Sequence, residues 1–244
     1  MMRNIIAANW KMHFDLDSAI QVASQMKDDL SSFGKTEIIV CPSFVFLHPL
    51  ANIFNESNIK LGAQNVYFED KGAFTGEVSP SMLKSVGCEY VIIGHSERRH
   101  IFLESDIDIQ KKVKKALEYN LKPILCVGET LSQRKEDKAF DVVERQIISA
   151  LDGVDLNKVI IAYEPVWAIG TGVAADEATV GEMHNFLANL VEDVPILYGG
   201  SVKPENAFNL AKIDTVNGFL VGSASLDTGS LKRIIVEFEK AKGV

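Results

Sequence analysis

Short apolar runs separated by longer amphipathic stretches recur along the whole chain. The runs are Ile5 to Ala8, Ile38 to Val40, Ile59 to Ala63, Val91 to Ile93, Ile124 to Val127, Val159 to Ala162, Ile196 to Tyr198 and Phe219 to Val221. Each is too short for a helix and apolar at successive positions, as a strand covered on both faces must be. Between them, spacings of three and four place apolar side chains on one helical face. Leu16, Ala19, Ile20, Ala23, Met26 and Leu30 form one such set, and Ile109, Val113, Ala116 and Leu117 another. Strands alternating with helices predict right-handed crossovers and a parallel sheet, either closed into a barrel or open. Eight units within 244 residues favour closure, giving an α/β fold with one (β/α)8 barrel domain over residues 1–244. The open, doubly wound alternative should carry a glycine-rich dinucleotide fingerprint after its first strand, and Asn9-Trp10-Lys11-Met12 has no glycine.

Composition narrows the partners. Hydrophobic residues make up 47% and charged residues 24%, the balance of a globular chain with a sizeable core. A formal net charge of -8 repels nucleic acid and anionic membrane, so neither is expected as a partner and any anion must be caught locally. Three cysteines, Cys41, Cys88 and Cys126, sit in or beside apolar runs, as reduced buried thiols do. With no secretory signal pattern and no apolar stretch of membrane-spanning length, a cytoplasmic location is expected.

In a barrel of this kind the site forms at the C-terminal ends of the strands. The first run ends in Asn9 and Lys11, the fourth in His95 and Glu97, the sixth in Glu164, the seventh in Gly199-Gly200-Ser201 and the eighth in Gly222-Ser223. With their neighbours these form Asn9-Trp10-Lys11-Met12, Gly94-His95-Ser96-Glu97-Arg98-Arg99, Cys126-Val127-Gly128-Glu129, Tyr163-Glu164-Pro165-Val166-Trp167-Ala168-Ile169-Gly170-Thr171-Gly172 and Tyr198-Gly199-Gly200-Ser201. The set resembles the triosephosphate isomerase family, in order and over essentially the whole chain. The resemblance implies a TIM barrel of eight parallel strands and an aldose-ketose isomerase of glycolysis and gluconeogenesis. Such an enzyme interconverts dihydroxyacetone phosphate and D-glyceraldehyde 3-phosphate through an enediolate.

The residues themselves are consistent with that chemistry. A carboxylate at a strand end, shielded from water, can abstract a proton next to a carbonyl, and Glu164 occupies such a place. His95 precedes a segment that can begin a helix at Ser96. Helix N–H groups there are expected to lower its pKa and keep a neutral ring that donates to a developing oxyanion. Lys11 supplies fixed positive charge, and Asn9 can orient the same oxygen. Lys11 as a Schiff-base nucleophile remains the reading for a different barrel enzyme, such as an aldolase. A non-catalytic phosphosugar-binding protein is the other alternative. Glu97 is favourable in a first helical turn on dipole grounds and, by resemblance, lies close to Lys11.

Glycine-bearing loops after the last three strands are where barrel enzymes frequently hold phosphate, chiefly through backbone N–H groups; Gly170, Ser201, Gly222 and Ser223 are the matching positions. Pro165-Val166-Trp167 reads as a lid hinge and Ala168-Ile169-Gly170-Thr171-Gly172 as its moving tip. Lid closure and acid/base tuning of this kind are known of the family itself and are taken over with the resemblance. The stretch from Asn65 to Val78 carries Phe74 and Thr75 between Gly72 and Gly76. By resemblance it inserts beside a second subunit's site, implying a homodimer with Thr75 near the partner's active centre; a loop folded back on its own barrel is the alternative. No cysteine/histidine cluster has metal-ligand spacing, so neither metal nor cofactor is expected. Two departures from the family pattern stand out. Val173-Ala174-Ala175 replaces Lys-Thr-Ala at the second lid hinge, and Ser223 replaces a glycine.

Overall fold

A computed structural model describes residues 3–169 and 175–244. Eight parallel strands close in sequential order, β1 (Ile5–Asn9), β2 (Glu37–Cys41), β3 (Ile59–Ala63), β4 (Tyr90–Ile93), β5 (Lys122–Val127), β6 (Ile160–Tyr163), β7 (Ile196–Tyr198) and β8 (Gly218–Val221). The observed bounds differ from the apolar runs by a residue or two because polar residues such as Glu37, Lys122 and Asn9 continue the ladder beyond the apolar stretch. Around the sheet lie α1 (Leu16–Asp29), α2 (Leu47–Phe54), α3 (Pro80–Ser85), α4 (Ser96–His100), α5 (Asp106–Glu118), α6 (Leu131–Lys135), α7 (Ala139–Leu151), α8 (Glu177–Leu190), α9 (Pro204–Ala211) and α10 (Thr228–Lys242). Side-chain caps start several of them: Asp15, Ser105 and Asp176 each accept an N–H from three residues on.

Strand alternation divides the core in two. Ile5, Ala7, Ile39, Cys41, Tyr90, Ile92, Ile124, Cys126, Ile160, Ala162, Leu197 and Leu220 fill the barrel interior. Their neighbours, such as Ile6, Ala8, Ile38, Val40, Val91 and Ile161, face the helices. Both faces are therefore dry, which is why the strands read as continuous apolar runs. On α1 the buried residues are Ala19, Ala23 and Met26, whereas Leu16 and Ile20, assigned by spacing to the same face, are exposed. Small Ala19 and Ala23 let the helix lie close to the sheet, which narrows the covered stripe.

The closing seam depends on one residue without a side chain. Gly218 opens β8 opposite Ile5 with φ +155°, and a Cβ there would lie 1.7 Å from the Ile5 carbonyl oxygen. At the N-terminal end of the barrel, Tyr90 donates to Glu37, Lys122 Nζ lies 2.9 Å from the Tyr90 hydroxyl and Arg3 pairs with Glu37 at 3.2 Å. This polar group caps the end opposite the strand C-termini.

His184 on α8 is fully buried, edge-on to Tyr163 with ring centroids 5.9 Å apart, and its Nδ1 lies 3.3 Å from the Thr215 carbonyl. Burial pushes its pKa down to about 4 from an ordinary 6.5, with the Lys242 charge adding to the effect. As pH falls below 6.5 the unfolded chain takes up a proton that the folded chain refuses. Stability therefore declines between pH 6.5 and about 4, by roughly 3 kcal/mol at the lower end. Denaturant midpoints measured across that window should fall in the wild type and fall less steeply in His184→Gln.

Candidate active site

At the C-terminal end of the barrel a cleft of about 640 Å³ is lined by Asn9, Lys11, His95, Glu164, Ser201, Gly222 and Ser223, among others. Its floor is the pair Glu164 and His95, both buried although polar. His95 Nε2 lies 3.0 Å from Glu164 Oε1, and the Ser96 N–H donates to Oε2 at 2.8 Å. The Glu97 N–H donates to His95 Nδ1 at 3.3 Å, which assigns the proton of a neutral ring to Nε2, facing the carboxylate.

Burial drives the Glu164 carboxyl upward, but the His95 charge and hydrogen bond, the Ser96 N–H and Lys11 outweigh it and hold Glu164 below the ordinary carboxylate value. For His95, burial opposes charge, while Glu164's field and hydrogen bond raise its pKa above the ordinary imidazole value. The sequence-based expectation of a lowered pKa is thus reversed. The helix that begins at Ser96 is only one turn long, too short for its dipole to outweigh a carboxylate in direct contact.

Lys11 follows β1 with φ 51°, an uncommon conformation for a residue with a side chain. Three contacts over-determine it. Its N–H donates to Asn9 Oδ1 at 3.0 Å, and its carbonyl accepts from Ser43 Oγ at 3.0 Å and from Gln64 Nε2 at 2.8 Å. Its ammonium pairs with Glu97 Oε1 at 2.8 Å, the proximity implied by the resemblance. Asn9 therefore acts first on the Lys11 backbone.

Glu129, fully buried after β5, gathers the segment that follows β6. It accepts from the Trp167 indole N–H at 2.9 Å, from the Tyr163 hydroxyl at 3.1 Å and from Arg134 at 3.0 Å. A 3-10 turn spans Val166–Ala168; Ala168 is buried, and its carbonyl accepts from the Ser201 hydroxyl at 2.6 Å. Ala168 is thus tied into the barrel end through Ser201, while Ile169 lines the cleft. Gly170, Thr171 and Gly172, and the Val173-Ala174 departure, lie outside the described residues. Ser223 opens a 3-10 turn after β8 and is not among the residues with positive φ, so a serine fits where the family has glycine.

The triosephosphate isomerase family model matches residues 4–238. The chain belongs to the triosephosphate isomerase family. Relatives named triosephosphate isomerase include one from Aquifex aeolicus, 46% identical over 97% of this chain and all of its own length. Another, from Natranaerobius thermophilus, is 49% identical over 93% of this chain and 92% of its own. A third, from Clostridium perfringens, is 47% identical over 96% of this chain and 99% of its own.

Of the positions that match the triosephosphate isomerase pattern, Asn9, Lys11, His95, Glu164, Ser201, Gly222 and Ser223 line one mouth, and Glu97 stands behind Lys11 and His95. Ser43, Gln64 and the contacts of Glu129 are not singled out by the sequence motifs, although these residues follow β2, β3 and β5. The strand-end rule, applied to those three strands as well, reaches them. Two glycines also give Glu164 its room: a Cβ on Gly128 would lie 1.8 Å from its carbonyl oxygen, and one on Gly199 would lie 2.9 Å from its Cγ.

Proposed function

We propose that this chain interconverts dihydroxyacetone phosphate and D-glyceraldehyde 3-phosphate by proton transfer through an enediolate. The observation that carries the reading is the buried Glu164 carboxylate beside the His95 Nε2–H, at 3.0 Å, on the floor of a cleft that Lys11 also enters. Glu164 takes a proton from C1 of the ketose, and the electron pair moves onto the C2 oxygen. His95 and Lys11 stabilise that oxygen, and the C1 hydroxyl proton passes to it by way of His95. Return of the carbon-bound proton from Glu164 to C2, with the C1 oxygen's electron pair closing the new carbonyl, gives the aldose. Pairing with Glu97 at 2.8 Å holds the Lys11 Nζ in place beside the cleft, the arrangement of a fixed charge rather than of a Schiff-base nucleophile.

Phosphate is assigned to backbone N–H groups at Gly170, Ser201, Gly222 and Ser223, with the lid from Pro165 to Gly172 closing over it and excluding water. The decisive assay follows dihydroxyacetone phosphate in deuterated water. Aldose formation with deuterium entering at carbon is expected. Ligand binding without exchange would leave a phosphosugar-binding protein, and trapping of substrate on Lys11 by borohydride would leave an aldolase.

Because Ser223 fits without positive φ, Ser223→Gly should only loosen the loop. Turnover is expected to stay largely intact while KM rises about two- to fivefold, matching the 0.5–1 kcal/mol conformational cost of a glycine. A large loss of kcat at unchanged KM would contradict this.

A homodimer is supported by exposed apolar side chains in the segments that follow the first four strands. Met12 is 94% exposed and Leu103 79%, with Val45, Phe74, Met82, Ile101 and Phe102 also exposed. Phe74 rests against Tyr67 with ring centroids 4.8 Å apart, and the exposed Thr75 beside it is the residue that the family resemblance assigns to a second subunit's active centre. Sedimentation should give twice the monomer mass, and Thr75→Arg should shift it toward the monomer. A cytoplasmic setting is consistent with three free, buried cysteines; among the described residues no helix is long and apolar enough to cross a membrane.

A further inference from the structure

The cleft does not end at the phosphate loops. Beyond Ser201 and Ser223 its lining continues over Lys203, Pro204 and Glu205 at the start of α9 and Ser230 and Arg233 on α10. Pro204, Glu205 and Arg233 also line an adjoining groove between the same two helices, so the trough runs outward from the catalytic floor. At about 640 Å³ the cleft lies in the range that holds drug-sized ligands, well beyond what a triose phosphate fills.

The chemistry of this outer end is cationic in a chain whose net charge is -8. Arg233 and Lys203 are exposed, and neither appears in an ion pair among the described residues. Asp227 feels the Arg233 charge without pairing to it; Glu205 is the carboxylate in the cleft lining there, and in the adjoining groove Glu237 pairs with Lys240 and Lys232 with Asp29. Ser230 and Arg233 are three residues apart on α10 and share a face. Helical side chains lean toward the helix N-terminus, so Arg233 reaches back toward the loop that carries Ser223.

We propose that this outer end is a second anion subsite. In it Arg233 and Lys203 take the additional charge of a ligand whose first phosphate sits on the inner loops, the chemical class being a phosphoanhydride or a bisphosphorylated small molecule. The proposal rests on the assignment of phosphate to those inner loops. A planar guanidinium suits a phosphoryl group because it offers paired donors, and the lysine adds a mobile point charge.

The test uses the full chain at constant ionic strength, with orthophosphate, pyrophosphate and tripolyphosphate as inhibitors of isomerisation. Orthophosphate should compete with substrate, and the better of the two polyphosphates should compete about tenfold more tightly. In the Arg233→Gln/Lys203→Gln double variant that preference should fall below about threefold, with orthophosphate inhibition and the KM for triose phosphate each changed by less than about twofold. A Lys35→Gln/Lys135→Gln variant, which removes the same charge from exposed positions away from the cleft, should keep the preference.

An equal preference in wild type and the cleft variant, or none in wild type, overturns the subsite. Loss of preference in the distant variant as well assigns it to net charge and also overturns it. A KM for triose phosphate that rises in step with the polyphosphate constants places both cations in service of the first phosphate, with the same result. Failure of orthophosphate to compete at all would instead sink the inner-loop assignment, and the subsite with it.

Discussion

Glu164→Gln is expected to lower kcat at least about 100-fold, the lower range for a positioned acid/base, while leaving the barrel folded. Glutamine has the same shape and keeps one oxygen to accept the Ser96 N–H now 2.8 Å from Oε2. What it loses is the capacity to carry a proton from one carbon to the next. Wild-type Glu164 is held below the ordinary carboxylate value despite its burial, because His95, the Ser96 N–H and Lys11 favour the anion, so it is ionised and ready to accept at neutral pH. Steady-state kinetics on protein free of host isomerase, with circular dichroism to show the fold, checks the result. Near-native turnover would remove Glu164 from the mechanism.

Gly128→Ala is expected to be as damaging from a position that carries no chemistry. A Cβ there would stand 1.8 Å from the Glu164 carbonyl oxygen and 2.6 Å from its carbonyl carbon, and backbone cannot step aside as a side chain does. The peptide has little freedom to give: the Gly128 N–H donates to Gln146 Oε1 at 2.8 Å, and Gln146 Nε2 donates back to the Gly128 carbonyl at 3.2 Å. On the other side the Glu164 N–H donates to the Val127 carbonyl at 2.8 Å. The ends of β5 and β6 must therefore part. That should cost about 3 kcal/mol or more, the upper end for overpacking. A shift of roughly 1 Å at Glu164 would cost about 100-fold in rate in whatever remains folded. Alanine at Gly34, where nothing lies within 4 Å, is the control and should leave both quantities nearly unchanged. Denaturant midpoints and kcat together decide the matter, and a stable, active Gly128→Ala would show that the strands have slack.

How much of the molecule is legible in its amino-acid sequence depends on where each feature is encoded. The strands declare themselves because both faces are dry, so every position from Ile5 to Ala8 must be apolar. Asn9, His95 and Glu164 stand out because each interrupts such a run where a barrel opens to solvent. The rest depends on residues far apart in the chain. The Ser96 N–H that helps ionise Glu164 is 68 positions away, and the hold on Lys11 comes from Ser43 and Gln64, which only closure of the sheet brings beside it. The direction of the His95 shift is hidden for the same reason, since its helix is visible in the sequence and its carboxylate neighbour is not. On α1, exposure of Leu16 and Ile20 follows from how closely two alanines let the helix approach, a matter of depth that periodicity does not carry.

The capped N-terminal end of the barrel has a consequence for traffic. With Tyr90, Glu37, Lys122 and Arg3 joined across one end and side chains filling the interior, the described residues leave the mouth at the strand C-termini as both the way in and the way out. Substrate cannot queue behind a departing product as it can in a tunnel with two doors. Each molecule must leave before the next is admitted, so ketose and aldose exclude one another at a single threshold, and each should act as a purely competitive inhibitor of the other's conversion.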